Sequence, residues 1–99
     1  KGKETFVAIE VQIPVALARY AGNKDTVFLE CNSVEEALRN LVEKHPELMQ
    51  HLFSEEGKLR HFVNVYVNDE DIRFGHGLKT PLNAGDIMTI VPSIAGGGN

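Results

Sequence analysis

Ile87-Met88-Thr89-Ile90-Val91-Pro92-Ser93-Ile94-Ala95-Gly96-Gly97-Gly98-Asn99 closes the chain, and its two parts have opposite character. Ile87 to Val91 is an apolar, β-favouring run of the kind buried in the middle of a sheet. The tail after it, residues 92–99, ends in three glycines and one asparagine. Glycine has no side chain to bury and loses the most backbone entropy when it is ordered. The tail is therefore expected to leave the domain as a thin, flexible ribbon. Such a ribbon can enter a channel too narrow for a Cβ and carry a C-terminal carboxylate to another protein's active site. Taken alone, the same residues also suit a frayed end or a spacer.

The residues upstream supply a base for that ribbon. Val7, Ile9, Val11 and Ile13 alternate with Ala8, Glu10 and Gln12, which is the period of a strand with one buried face. Pro14 ends it or places it at an edge, and Ala18 to Lys24, with Gly22-Asn23-Lys24, reads as a loop. Thr26 to Cys31 alternates again, with Val27, Leu29 and Cys31 on one face and Phe28 on the other. The two strands form a hairpin. Ser33 and Glu36 make a capping box before Val34, Ala37, Leu38, Leu41 and Val42, which recur at helical spacing. Pro46 closes that helix or starts a second short one, Glu47 to Phe53, and Ser54 to Lys58 is a polar turn.

Phe62 to Asn68 alternates once more, with Val63, Val65 and Val67 inward. Asn68-Asp69-Glu70-Asp71 reads as a turn and Ile72-Arg73-Phe74 as a short returning strand. Leu78 and Leu82 flank Thr80-Pro81 in a short helical turn, and Ala84-Gly85-Asp86 leads into the last strand. Hairpin, crossing helix and further strands define an α+β fold in β-grasp order, with a helix packed across one face of a mixed sheet. Placing the last strand centrally, parallel to the first, would bury Ile87 to Val91 and aim the tail outward. Val7, Ile9, Val11, Val27, Leu29, Leu38, Leu41, Val63, Val65, Val67, Met88 and Ile90 are the expected core.

The 99 residues read as a single domain, 1–99, with 42% apolar and 24% charged residues. A net charge of −4 argues against a nucleic-acid partner. No apolar run approaches the ~20 residues of a membrane span and no signal-peptide pattern opens the chain, so no membrane partner is expected. The single cysteine, Cys31, fits a reducing compartment, and cytoplasmic localisation is the expectation. The chain starts at Lys1 rather than Met, so its start reads as trimmed or added.

Few residues suggest chemistry of their own. His45, His51, His61 and His76 show no helical i,i+4 pair and no cysteine at ligand spacing, so they read as scattered surface histidines and no metal site is expected. Cys31 reads as a buried structural thiol. Asp69-Glu70-Asp71 could ligate a cation but suits a hairpin turn better. The exposed apolar residues are more informative. Phe62 and Tyr66 have the opposite parity to Val63, Val65 and Val67, and Val91 the opposite parity to Met88 and Ile90. They should meet on the outer sheet face beside the tail as an apolar patch for a partner.

Lys58 to Gly97 resembles the ubiquitin-like sulfur carriers of the MoaD/ThiS group. The matching residues are Phe62-Val63-Asn64-Val65-Tyr66-Val67-Asn68, Asp69-Glu70-Asp71-Ile72-Arg73, Gly85-Asp86, Val91-Pro92 and Ala95-Gly96-Gly97. Val63 to Asp71 is most similar to the CysO branch of that group. The hairpin and capped helix agree in order but are less specific.

The resemblance implies a carrier rather than an enzyme. An E1-like adenylating enzyme would spend ATP to activate the C-terminal glycine; no cofactor is expected on the carrier itself. A sulfur donor would then displace AMP, leaving a thiocarboxylate for a sulfur-accepting synthase in cysteine or cofactor biosynthesis. Aligned from Pro92, the glycine pair falls on Gly96 and Gly97. Gly97 is then the reactive end after a processing protease removes the rest, and Gly98 the second choice. A chain ending at Asn99 reads as a pro-form or as carrying extra residues. A molybdopterin synthase small subunit and a ubiquitin-like protein modifier are the alternatives.

Overall fold

The computed structural model describes residues 6–93. Its five strands are β1 (Val7–Gln12), β2 (Thr26–Cys31), β3 (Val63–Val67), β4 (Glu70–Asp71) and β5 (Ile87–Pro92). They form one sheet in the order β2-β1-β5-β3-β4. β5 lies in the centre, parallel to β1 and antiparallel to β3, as its apolar run predicts. This is the β-grasp arrangement, a mixed sheet with helices on one face. The tail from residue 94 onward, with Ala95, Gly96, Gly97 and Gly98, lies outside the described residues, and so does the expectation that it is a flexible ribbon.

The strand periods select one face for the core. Ile9, Val11, Val27, Leu29, Cys31, Val63, Val65, Met88 and Ile90 are all buried beneath the helices. Val7 and Val67 pack against that core but are only partly buried. β5 is buried on one face only, which corrects the reading of Ile87 to Val91 as buried throughout. Ile87 and Val91 are exposed on the other side.

The crossing helix α2 (Val34–Lys44) follows the i, i+3, i+4 pattern and buries Val34, Ala37, Leu38 and Leu41. Its first turn is closed as the sequence indicates: Ser33 Oγ accepts from the Glu36 N–H at 3.2 Å. The return bond differs from a strict capping box, since Glu36 Oε1 accepts from the N–H of Asn32 at 2.8 Å. The adjoining segment also docks on Thr80 to Leu82: the Leu82 N–H donates to the Asn32 carbonyl and the Val34 N–H to the Thr80 carbonyl. After Pro46 a single 3₁₀ turn (Pro46–Leu48) and one helical turn bury Leu48 and Leu52.

Two segments depart from the sequence reading. Ala18 to Lys24 is not simply a loop. Val15–Ala18 forms a short helix, α1, which runs into a 3₁₀ turn, Arg19–Ala21. Four residues cannot hold a helix alone, so burial of Leu17 and Ala21 against the core must do so. Ile72-Arg73-Phe74 is a 3₁₀ turn rather than a returning strand. The return strand is Glu70–Asp71, two residues earlier, because the chain reverses over Asn68 and Asp69 alone, both at positive φ.

A hydrogen-bond clasp ties that turn to the start of β5. Asn68 Nδ2 donates to Asp86 Oδ1 at 2.9 Å, and Asn68 Oδ1 accepts from the Ile87 N–H at 3.0 Å. Asp86 Oδ2 accepts from the Asn83 N–H. Gly85, at φ +87°, donates its N–H to Ala8 of β1. Asn68, Gly85 and Asp86 therefore register β5 between its two neighbours.

Candidate functional site

β5 ends at Pro92, where it is still paired to β3 through Val63. The Ser93 N–H donates to Phe62 O at 2.6 Å, so the chain stays clamped to β3 one residue past the strand. Whatever follows residue 93 therefore starts from a fixed point at the end of the central strand. The outer sheet face is the surface next to that point.

Strand register assembles this face in rows. Phe28, Glu10 and Ile87 form one row across β2, β1 and β5. Gln12, Thr89, Tyr66 and Asp71 form the next, across β1, β5, β3 and β4. Val91 lies opposite Asn64 in the third. Phe62 and Tyr66 are each two residues from Asn64 on β3, so Val91 is their diagonal neighbour. The structure thus brings Phe62, Tyr66 and Val91 together on one face, as parity predicts, with the polar Asn64 in their midst. Phe62 and Val91 are exposed and Tyr66 is half-buried.

Charged groups border the apolar diagonal. The Arg60 guanidinium carbon lies 6.0 Å from the Phe62 ring centre, and Arg60 Nε donates to Gln50 O. On β4's side, Arg73 holds Asp71 with both Nε and Nη2, the shortest contact being 2.8 Å. Asp71 is the only buried charged side chain among the described residues. Arg73's side-chain and backbone hydrogen bonds hold the Asp71 carboxyl below the usual carboxylate range. Glu10 is hydrogen-bonded to Gln12 and puts a negative charge on the opposite side of the face.

The sequence reading missed part of this surface. Val15 is 91% exposed and, with Pro14 and Ala16, lines an open groove of about 650 Å³ shared with Thr89, Val91 and Pro92. The signal was present: Pro14 precedes Val-Ala-Leu-Ala, and Leu17 and Ala21 are one helical turn apart. Phe28 and Ile87 also extend the apolar area beyond the expected patch. A second open depression, about 670 Å³, lies at the other end of β5, among Asn68, Asp69, Glu70, His76 and Asp86. Among the described residues, no three His, Cys, Asp or Glu side chains group so as to hold a metal ion.

Cys31 is fully buried, and burial, with a smaller contribution from Glu36, pushes its thiol up to about 11. It is neutral and inaccessible at physiological pH, as a structural thiol should be. The histidines are not uniformly on the surface, a correction to the sequence reading. His51 is half-buried, stacked on Tyr20 with ring centres 4.1 Å apart, and its Nε2 is enclosed with no hydrogen-bond partner among the described residues. No described helix is long and apolar enough to cross a membrane.

Comparison with known proteins gives a consistent set of relatives. Residues 11–97 match the model of the ThiS family. The chain is 37% identical over 91 residues to the sulfur carrier protein CysO of Mycobacterium tuberculosis, covering 90% of this chain and 98% of that one. It is 33% identical over 84 residues to small archaeal modifier protein 1 of Haloferax volcanii, covering 82% and 91% respectively. Among solved structures, it matches a chain of the Amycolatopsis orientalis BexX/CysO complex with a TM-score of 0.81 and 39% identity, over 90% of this chain and 99% of that one.

Proposed function

The chain belongs to the ThiS family, and on that premise we propose that it is a sulfur carrier whose C-terminal glycine is adenylated by an E1-like partner and converted to a thiocarboxylate. The observation that carries this reading is the geometry of β5. The central strand is clamped to β3 as far as Ser93, beside an apolar outer face, and the sequence beyond it is Ile94-Ala95-Gly96-Gly97. A partner docked on that face can receive the following residues in its active site.

A carboxylate is a poor electrophile because its charge resists nucleophilic attack. Attack of the terminal carboxylate on the α-phosphorus of ATP forms an acyl adenylate and releases pyrophosphate. Sulfide, or a persulfide followed by reduction, displaces AMP and leaves the thiocarboxylate. The chain's own thiol is unsuited to be the donor, since Cys31 is buried with its pKa near 11. The sulfur comes from outside, and an accepting synthase takes it from the carrier. Cysteine formation is the preferred pathway, following the CysO relative, with the molybdopterin synthase small subunit second.

Gly97 is the proposed working end, which requires a form lacking Gly98 and Asn99; a processing protease would generate it. Chains ending at Gly97, Gly98 and Asn99 should be incubated with the adenylating enzyme of the same organism, ATP and sulfide. Intact-mass measurement then reads replacement of one oxygen by one sulfur. Loading of the Gly97 form but not the Asn99 form is expected. Loading of the Asn99 form without trimming would overturn the processing step, and no loading of any form would overturn the carrier reading.

The relationship to an archaeal modifier protein favours a second reading, in which the activated glycine is passed to lysine amines. Carrier and modifier share adenylation and differ in product. Covalent conjugates of higher mass, formed with ATP in a cell extract, would support the modifier.

A further inference from the structure

We propose that the docking face is electrostatically directional, and that Arg73, oriented by Asp71 beside Tyr66, is a specificity anchor for a carboxylate on the adenylating partner. The inference rests on the carrier reading and adds the chemistry of the partner's surface to it. The chain carries a net charge of −4, so guanidinium groups around an apolar patch are not explained by overall composition. Arg60 stands against Phe62, and Arg73 is on Asp71 in the row of Tyr66. Glu10 on β1 and Glu30 on β2 are charged residues on the other side of the same face.

Arg73 is well placed to serve a partner. Its side chain is 63% exposed, while the carboxylate that holds it is 7% exposed. Asp71 engages Nε and Nη2, and the guanidinium has five N–H donors in a planar fork. The fork is thus fixed in orientation with donors left over, which lowers the entropy lost on binding. Asp71 also accepts from the Arg73 N–H, so the 3₁₀ turn itself is tied to the ion pair. Asp71 is therefore a positioning residue and Arg73 the contact. The matching surface has an apolar centre for Phe62, Tyr66 and Val91, a carboxylate facing Arg73, and no uncompensated acid facing Glu10.

The test is the dissociation constant of the whole chain for the adenylating enzyme of the same organism, by titration calorimetry at low and high salt. Arg73→Gln should weaken binding about tenfold at low salt, and Arg73→Glu should weaken it further. Arg73→Lys should be intermediate, keeping the charge and losing the fork. The difference between wild type and Arg73→Gln should shrink at high salt, which lost folding would not produce. Arg60→Gln perturbs the other border without exposing Asp71 and should show the same salt trend, more weakly. Binding unchanged across the Arg73 variants, or a loss that ignores salt and tracks thermal stability, overturns the proposal alone. If the wild-type chain does not bind, the docking reading falls and this inference with it.

Discussion

The two faces of the sheet are built from the same five strands yet are governed by different demands. On the helix side Val11, Val65, Met88 and Ile90 are at most 2% exposed and share one buried cluster with Leu38 and Leu41 of α2. On the outer side Phe28, Phe62, Ile87 and Val91 are 37 to 69% exposed, alternating with Glu10, Gln12, Asn64 and Thr89. The inner face is fixed by packing within the chain. The outer face is apolar where this chain's own packing does not require it, and that surplus directs attention to a partner.

The contrast is broken most forcefully from the inner side. Leu41 is fully buried in α2, so Leu41→Ala should cost about 2–5 kcal/mol of unfolding free energy through lost transfer energy and a residual cavity. Denaturant unfolding measures this directly, and wild-type stability would detach the helix from the core. The reciprocal experiment is on the outer face. Phe62→Ala combined with Tyr66→Ala should weaken binding to the adenylating enzyme by at least about 2 kcal/mol, the scale of an interface anchor. Unfolding should change much less than for Leu41→Ala. Full binding by the double variant would show the patch to be incidental.

The inner face was legible because its period is simple. Three strands, β1, β2 and β3, alternate at period two, the central helix follows 3.6, and every residue expected in the core is in it or packed against it. β4 was misplaced by two residues because the deciding feature is backbone: positive φ at Asn68 and Asp69 shortens the turn to two residues. Ile72 and Phe74 share strand parity, but Ile72 is buried and Phe74 is 83% exposed, which only a helical turn allows. α1 was hidden for another reason. It has no capping side chain and one turn of length, so its existence depends on tertiary burial of Leu17. The candidate site was half legible. Parity placed Phe62, Tyr66 and Val91 together, while Arg73, Asp71 and Val15 join them only through register and loop geometry.

Next in expected effect, below both faces, stands the cap of α2. Ser33→Ala removes the acceptor for the Glu36 N–H and leaves the Glu36 side chain on Asn32. A loss of about 0.5–2 kcal/mol is expected in denaturant unfolding, the usual range for an N-cap. Because Thr80 still accepts from the Val34 N–H, the value should lie toward the lower end. A loss as large as that of Leu41→Ala would mean that the cap controls docking of the Thr80 to Leu82 segment as well.

The smallest expected effect gives the sharpest comparison, because it uses adjacent residues on one strand. Phe28 and Leu29 are neighbours in β2 with side chains on opposite faces, 69% and 5% exposed. Leu29→Ala should fall in the range of buried leucines, about 2–5 kcal/mol. Phe28→Thr keeps a β-favouring residue on the solvent face and should change stability by no more than about 0.5 kcal/mol. The pair of unfolding curves would therefore separate widely although the substitutions are one residue apart. Phe28→Thr also bounds the docking surface. Phe28 shares a row with Glu10 and Ile87 but is three strands from Tyr66, across β1 and β5. If the partner covers only the β5–β3 side next to the tail, Phe28→Thr should bind the adenylating enzyme as the wild type does. A loss of affinity as large as that of the Phe62 and Tyr66 double variant would extend the interface across the whole sheet, as far as β2.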